Sequence, residues 1–211
     1  MYVQQKFVEN DVATLHALIR AHPLGALVVA TPQGLEANHM PFHLSLDGEG
    51  KAVLRAHTPK QNPLWQQQLP SDAEALVIFQ SVDTYITPSW YPSKHAHGQA
   101  VPTWNYAVVH AYGPIRFITD KDWLLPHVTA LTDEHEAKHA LPWQVTDAPA
   151  DYIDKMLSNI VGIEIPVTRL LGKWKMSQNR PPGDRLGVVA GLSSQESDDS
   201  KAVMELVRRH T

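Results

Sequence analysis

Gly25-Ala-Leu-Val-Val-Ala-Thr31 is followed by Pro32-Gln33-Gly34 and then by Leu35-Glu-Ala-Asn-His-Met-Pro-Phe-His-Leu-Ser-Leu46. The first run is short, apolar and β-branched and reads as a buried strand; the triplet reads as a hairpin turn and the second run as the returning strand. Asp47-Gly48-Glu49-Gly50 is another turn signal, and Ala52 to His57 supplies a third strand. Consecutive strands joined by tight turns form an antiparallel meander, whereas a parallel sheet would need a long helix between each pair.

Working outward, Asp11 caps an opening helix with Val12, Leu15, Leu18 and Ile19 at helical spacing, ended by Pro23 and Gly25. Downstream, Pro59 begins a short helix carrying Leu64, Trp65 and Leu69. Ala75 to Gln80 and Tyr85 to Thr87 read as strands, Pro92 to Gly98 as a loop, and Val101 to Thr119 as one strand bent at Gly113-Pro114. From Asp120 the period changes, and Trp123, Leu124, Val128 and Leu131 predict a helix, with a second over Ala150 to Ile160. Ile163 to Met176 returns to strand character, Gly183, Gly187 and Gly191 mark a turn region, and Ser200 caps a last helix through Val207. Six or seven strands predict a mainly β fold with added helices, its antiparallel sheet curled into a barrel. The expected organisation is one domain over residues 1–192 with a helical insertion at about 120–160, then a polar linker and C-terminal helix over 193–211.

Composition narrows the chemistry. The chain has 211 residues, 18 Lys+Arg against 22 Asp+Glu, and no cysteine. Disulfides, thiolate nucleophiles, Cys-ligated zinc and iron–sulfur clusters are thereby excluded. A net charge of -4 means that nucleic-acid binding would need a local basic patch. No apolar run approaches membrane-spanning length and no basic-headed leader opens the chain, so a cytoplasmic location is expected. Twelve histidines and six tryptophans are the compositional excess, and any stacking or proton chemistry is to be sought there.

His135-Glu136-Ala137-Lys138-His139 matches the zinc pattern H-E-x-x-H, but its neighbours are polar, Pro142 stops any helix just beyond, and no third ligand is spaced for it. A solvated helix end without metal is the favoured reading, and a zinc protease is disfavoured. His39 and His43 share a strand face, and His95 and His97 flank Ala96 in a solvent loop from which Lys94 could reach an anion. Thr87-Pro88-Ser89-Trp90-Tyr91 and Val101-Pro102-Thr103-Trp104-Asn105-Tyr106 interleave hydrogen-bonding groups with aromatic rings. Such clusters line a binding site or an interface, since buried Asn and Tyr need partners. Ala56-His57-Thr58-Pro59-Lys60-Gln61-Asn62-Pro63 puts a lysine and free backbone donors where a strand ends and a helix begins, a place anions favour. Gly172-Lys173-Trp174-Lys175-Met176-Ser177-Gln178-Asn179-Arg180 brings more positive charge to a strand end. Together these segments suit a phosphorylated aromatic cofactor better than a metal.

The ordered set Ala37-Asn38-His39-Met40-Pro41-Phe42, Asn62-Pro63, Ser89-Trp90-Tyr91, Val101 to Tyr106 and Lys173 to Asn179 resembles the PaiB family of FMN-binding negative transcriptional regulators. The resemblance implies an FMN-binding split β-barrel, related in fold to pyridoxamine-phosphate oxidases, working as a homodimer with flavin at the subunit interface. By that analogy the flavin ring rests near Asn38, His39, Pro41, His57 and Thr58, with its phosphate close to Lys60, and Asn62 belongs to the same expected site. Ser89, Trp90, Trp104, Asn105, Tyr106, Lys175, Ser177 and Gln178 complete the expected site, several of them from the partner subunit. Lys60-Gln61 departs from the Arg-Lys pair usual in the oxidases. DNA or a regulatory protein is a further expected partner, although no helix-turn-helix pattern is visible. A flavin-dependent oxidoreductase and a haem-binding split-barrel relative are the alternatives.

Overall fold

A computed structural model describes residues 1–67, 69–70 and 73–210. The strands are β1 (Val8–Glu9), β2 (Leu24–Thr31), β3 (Gly34–Pro41), β4 (His43–Leu46), β5 (Ala52–Pro59), β6 (Glu74–Ile86), β7 (Thr103–Pro114), β8 (Arg116–Ile118), β9 (Ile160–Pro166) and β10 (Arg169–Lys175). The helices are α1 (Val12–Ala21), α2 (Pro92–His97), α3 (Lys121–Glu136), α4 (Ala150–Leu157), α5 (Pro182–Ser193) and α6 (Asp198–Arg208). The chain divides into two compact units. One comprises Met1–Leu18, Gln80–His110 and the chain from Leu171 onward; the other comprises Ile19–Phe79 and Ala111–Leu170.

In the second unit β2 pairs antiparallel with β3 over their whole lengths and with the start of β6. A separate four-stranded sheet runs β4-β5-β9-β8. The expected single strand from Leu35 to Leu46 is therefore two strands in different sheets. Pro41 ends β3 because it has no N–H for the ladder, and Phe42 turns its own N–H to the Pro23 carbonyl at 2.9 Å while burying its ring edge-on against Phe79. The same device recurs wherever a strand leaves its sheet: Pro114 ends β7 and Pro166 ends β9. The expected bend at Gly113-Pro114 is thus a break between β7 and β8. The sheets do not close into one continuous barrel. Leu27, Leu54, Leu64, Phe79, Leu124, Ile163 and Ile165 form the core of this unit, none of them measurably exposed. Each such side chain contributes about 1.5–3 kcal/mol by leaving water.

In the first unit the strand order is β1-β10-β7-β6, and α5 packs with α6 and α2. Two expectations are corrected here. Pro92 to Gly98 is a helical turn rather than a loop, since Pro92 presets the first helical position and Gly98 closes it in the left-handed conformation at φ 71°. The glycine-spaced turn region is α5. A Cβ on Gly187 would stand 1.9 Å from the Trp90 carbonyl oxygen, and one on Gly191 would stand 2.2 Å from the Trp90 indole. The four-residue glycine spacing is the face on which α5 meets Trp90. The predicted strands Ala75–Gln80 and Tyr85–Thr87 are one strand, β6, and the strand predicted over Ile163–Met176 is two, β9 and β10. The predicted helix after Pro59 is a single 3-10 turn, Pro63–Gln66; its expected passage through Gln68 lies outside the described residues. The last helix is capped by Ser197, whose side chain accepts from the Ser200 N–H.

Candidate functional site

In the second unit the chain leaves β5 at Pro59 and is pinned by Lys60, whose N–H bonds the Asn159 carbonyl at 2.9 Å and whose Nζ bonds the Ser158 carbonyl at 2.6 Å. Trp65 Nε1 donates to the Lys60 carbonyl at 2.9 Å. Asn62 caps the turn that follows, its Oδ1 accepting from Leu64 N–H at 3.0 Å, and its Nδ2 donates to Asn38 Oδ1 at 2.8 Å. Two expected site residues far apart in sequence, Asn38 and Asn62, are thus bonded side chain to side chain. His39 and Pro41 are exposed. The expected helix N-terminus is not available to an anion: the turn is four residues long, Pro63 has no N–H, and Leu64 N–H is taken by Asn62.

His57 and Thr58, expected to share one ring, are adjacent on β5 and so face opposite ways. Thr58 is buried. His57 Nδ1 meets His127 Nε2 at 3.1 Å, and His127 stacks on Trp123 with centroids 5.2 Å apart. Burial, and then the neighbouring His57, His43 and Arg55, pushes His127 down to about 3, so it is neutral near pH 7. The same network holds Glu164, which accepts from Arg55 Nε at 3.1 Å and from Trp123 Nε1 at 3.4 Å. Glu164 escaped the sequence reading. Its signal was a lone carboxylate in the otherwise apolar run Ile160-Val-Gly-Ile-Glu-Ile165.

In the first unit the two motif segments Val101–Tyr106 and Lys173–Asn179 meet. Asn105 is fully buried, and its amide exchanges hydrogen bonds with the Ser177 hydroxyl, Nδ2 donating at 3.0 Å and Oδ1 accepting at 3.3 Å. Ser177 takes the left-handed conformation at φ 62°, a strained placement for a side-chain-bearing residue. Gln178 clamps the strand end, Oε1 accepting from Met176 N–H at 2.6 Å and Nε2 donating to the Trp174 carbonyl at 2.7 Å. Lys175 donates to the Thr103 hydroxyl. Burial lowers the Lys175 pKa, and Lys173 and Arg180 lower it further, while Tyr106 opposes them. Lys173 Nζ lies 5.2 Å from the Tyr106 ring centre. Trp104 is 52% exposed, meets Tyr85 edge-on and, with Gln80, Asp83 and Tyr106, lines an open cleft of about 400 Å3.

Ser89 and Trp90 lie against α5 of the same unit. Ser89 N–H caps onto Thr87 Oγ1 at 3.2 Å, and the Trp90 indole is taken up by the glycine face of α5. Beside it, Asp184 on α5 is buried and accepts from both the Ser93 N–H and the Ser93 hydroxyl, at 3.0 and 2.6 Å, a fixing contact the glycine-rich sequence around it concealed. Lys94 reaches the Ser89 hydroxyl at 3.5 Å. In the zinc-like motif, α3 ends at Glu136, so His135 and His139 do not stand one helical turn apart on a helix, and the Glu136 carboxylate accepts the Trp143 N–H at 2.9 Å. No group of three metal-ligating side chains is found among the described residues. Nor is any described helix long and apolar enough to cross a membrane.

Residues 1–169 match the model of a family described as "putative FMN-binding domain". An uncharacterized protein of Emericella nidulans is 38% identical, over 99% of this chain and 96% of its own. The protease synthase and sporulation protein PAI 2 of Bacillus subtilis is 28% identical over 98% of this chain and 96% of its own. Among solved structures, the FAD and heme binding protein from Mycobacterium smegmatis superposes with a TM-score of 0.59 at 15% identity, covering 80% of this chain and 73% of that one. At that identity the likeness is one of fold: mainly β with added helices, of the flavin-binding split-barrel type.

Proposed function

The chain belongs to the FMN-binding family whose model spans its residues 1–169, the PaiB type that its motifs resemble, and from that premise we propose that it is an FMN-dependent regulatory protein acting as a homodimer. The family match carries this reading, and the donor set supports it. A phosphorylated isoalloxazine needs a cation for its phosphate, directed polar groups for its pyrimidine edge and aromatic or apolar walls for its ring. Lys60, with Asn38, Thr58 and Asn62 around it, answers the first two needs in one unit. Lys173 and Lys175 answer the first need in the other unit, and the exposed Trp104 with the half-buried Tyr106 the third, the buried Asn105–Ser177 pair holding the two segments together; we assign this face as the one a second copy presents.

Bound FMN supplies reversible uptake of electrons, singly or as hydride. The protein's part is to hold and orient. The Lys60 ammonium balances phosphate charge, and the Asn38–Asn62 pair keeps its polar atoms in fixed directions before any ligand arrives, while the buried Asn105–Ser177 pair holds the strand ends that carry Lys173 and Lys175. PAI 2 carries a name tied to protease synthesis and sporulation, which favours a regulatory role over metabolic turnover for this relative. The test is the visible spectrum of the purified protein, followed by an FMN titration. Flavin bands and release of FMN on denaturation are expected. A folded protein that stays colourless and ignores added FMN, or one with a Soret band instead, would overturn the proposal.

A further inference from the structure

Helices α3 and α4, the chain between them and the end of β5 line a second cavity, open to solvent on one side and of about 440 Å3, within the unit that contains β5. His57, Gln61, Thr132 and Asn159 give its lining polar points, and Trp143, Tyr152 and Met156 give it a rim of large, mainly apolar groups that are 44%, 53% and 37% exposed. Its volume lies in the range of small-molecule sites. No Asp, Glu, Lys or Arg belongs to the lining, so a charged guest would lose its hydration without a counter-ion.

The histidine pair fixes what the cavity offers. One proton is shared between His57 Nδ1 and His127 Nε2, 3.1 Å apart, and His127 Nδ1 is buried with no partner. Were His57 the donor, His127 would carry a buried N–H with no acceptor, the rarer and costlier of the two orphans. His127 therefore donates to His57, which leaves His57 as the tautomer with Nε2–H. We propose that this cavity binds a neutral, flat aromatic molecule bearing a carbonyl-type acceptor, its ring among Trp143, Tyr152 and Met156 and its oxygen accepting from His57 Nε2–H. The site lies on the face of β5 opposite Thr58, and the inference does not rest on the flavin reading.

The test uses the full chain, with and without FMN, and the neutral fluorescent ketone 6-propionyl-2-(dimethylamino)naphthalene. Saturable, blue-shifted emission at one ketone per chain is expected, unchanged in equilibrium dialysis by excess FMN. Thr132→Trp, which fills the cavity, and Met156→Trp, on the exposed rim where folding is not at risk, are each expected to weaken binding at least about tenfold. The carbonyl-free analogue 2-(dimethylamino)naphthalene should bind wild type about tenfold more weakly than the ketone, and His57→Phe should erase that difference. Absence of saturation, indifference to both tryptophan variants, equal binding of 2-naphthoate, or displacement by FMN would each overturn the proposal. Failure to bind FMN would leave it standing.

Discussion

Lys60 donates one ammonium proton to the Ser158 carbonyl, and the proposed phosphate contact would use the other two. Lys60→Ala should therefore weaken FMN binding by roughly 10- to 100-fold, the range of a charge-assisted hydrogen bond, as read by quenching of free FMN fluorescence. An unchanged affinity would remove Lys60 from the site. His127 makes a pH prediction of definite sign. In the fold it stays neutral down to about 3, whereas in the unfolded chain it takes up a proton near 6.5. Between those values the unfolded state binds more protons, so the contribution is fully present above about 6.5 and is lost as pH falls toward 3. Urea unfolding at a series of pH values should show this decline, amounting to a few kcal/mol, and His127→Leu should flatten it. At this scale the residue types were legible and their roles only partly so. Asn38, Asn62, Asn105 and Ser177 stood out as polar groups among apolar ones. That His57 turns away from Thr58 followed only once β5 was known to continue through both.

Among the elements, α5 shows how a local signal misleads. Glycines four apart read as turns, because the indole that makes their small size necessary comes from Trp90, about a hundred residues earlier. Gly191→Ala gains helix propensity of about 1 kcal/mol but drives a methyl into the Trp90 ring, so a net loss of about 1–2 kcal/mol is expected in chemical denaturation. Gly183→Ala, with nothing within 4 Å of its added methyl, should be neutral or stabilising. Equal effects of the two would disprove the packing account. The breaks that divide Leu35–Leu46 and Val101–Thr119 were legible in principle. Each carries a proline, but the pattern alone does not distinguish a bulge within one strand from a passage to another sheet.

For the whole molecule, FMN at about 100 times its dissociation constant should raise the unfolding free energy by about 2.7 kcal/mol, visible as a higher melting temperature. Light scattering should report two chains, with iodide quenching of Trp104 weaker in the dimer than in any monomer obtained by dilution. A strictly monomeric flavoprotein would remove the assignment of Lys173 and Lys175 to a partner's site. Fold class and cofactor were readable because motifs spread over most of the chain must agree simultaneously. Helices α3 and α4 were visible as a change of period, whereas the cavity they line was not, since His57, Thr132, Trp143 and Tyr152 acquire a common meaning only in three dimensions.

Pro41 has a consequence beyond the path of the chain. β3 stands at the end of its sheet order, and such an end is where a stray strand from a crowded neighbour would dock and begin a cross-β stack. A residue without an amide proton at its exit, together with the charge of Glu36 within it, makes this margin a poor template, so the protein carries its own guard against amyloid-like recruitment.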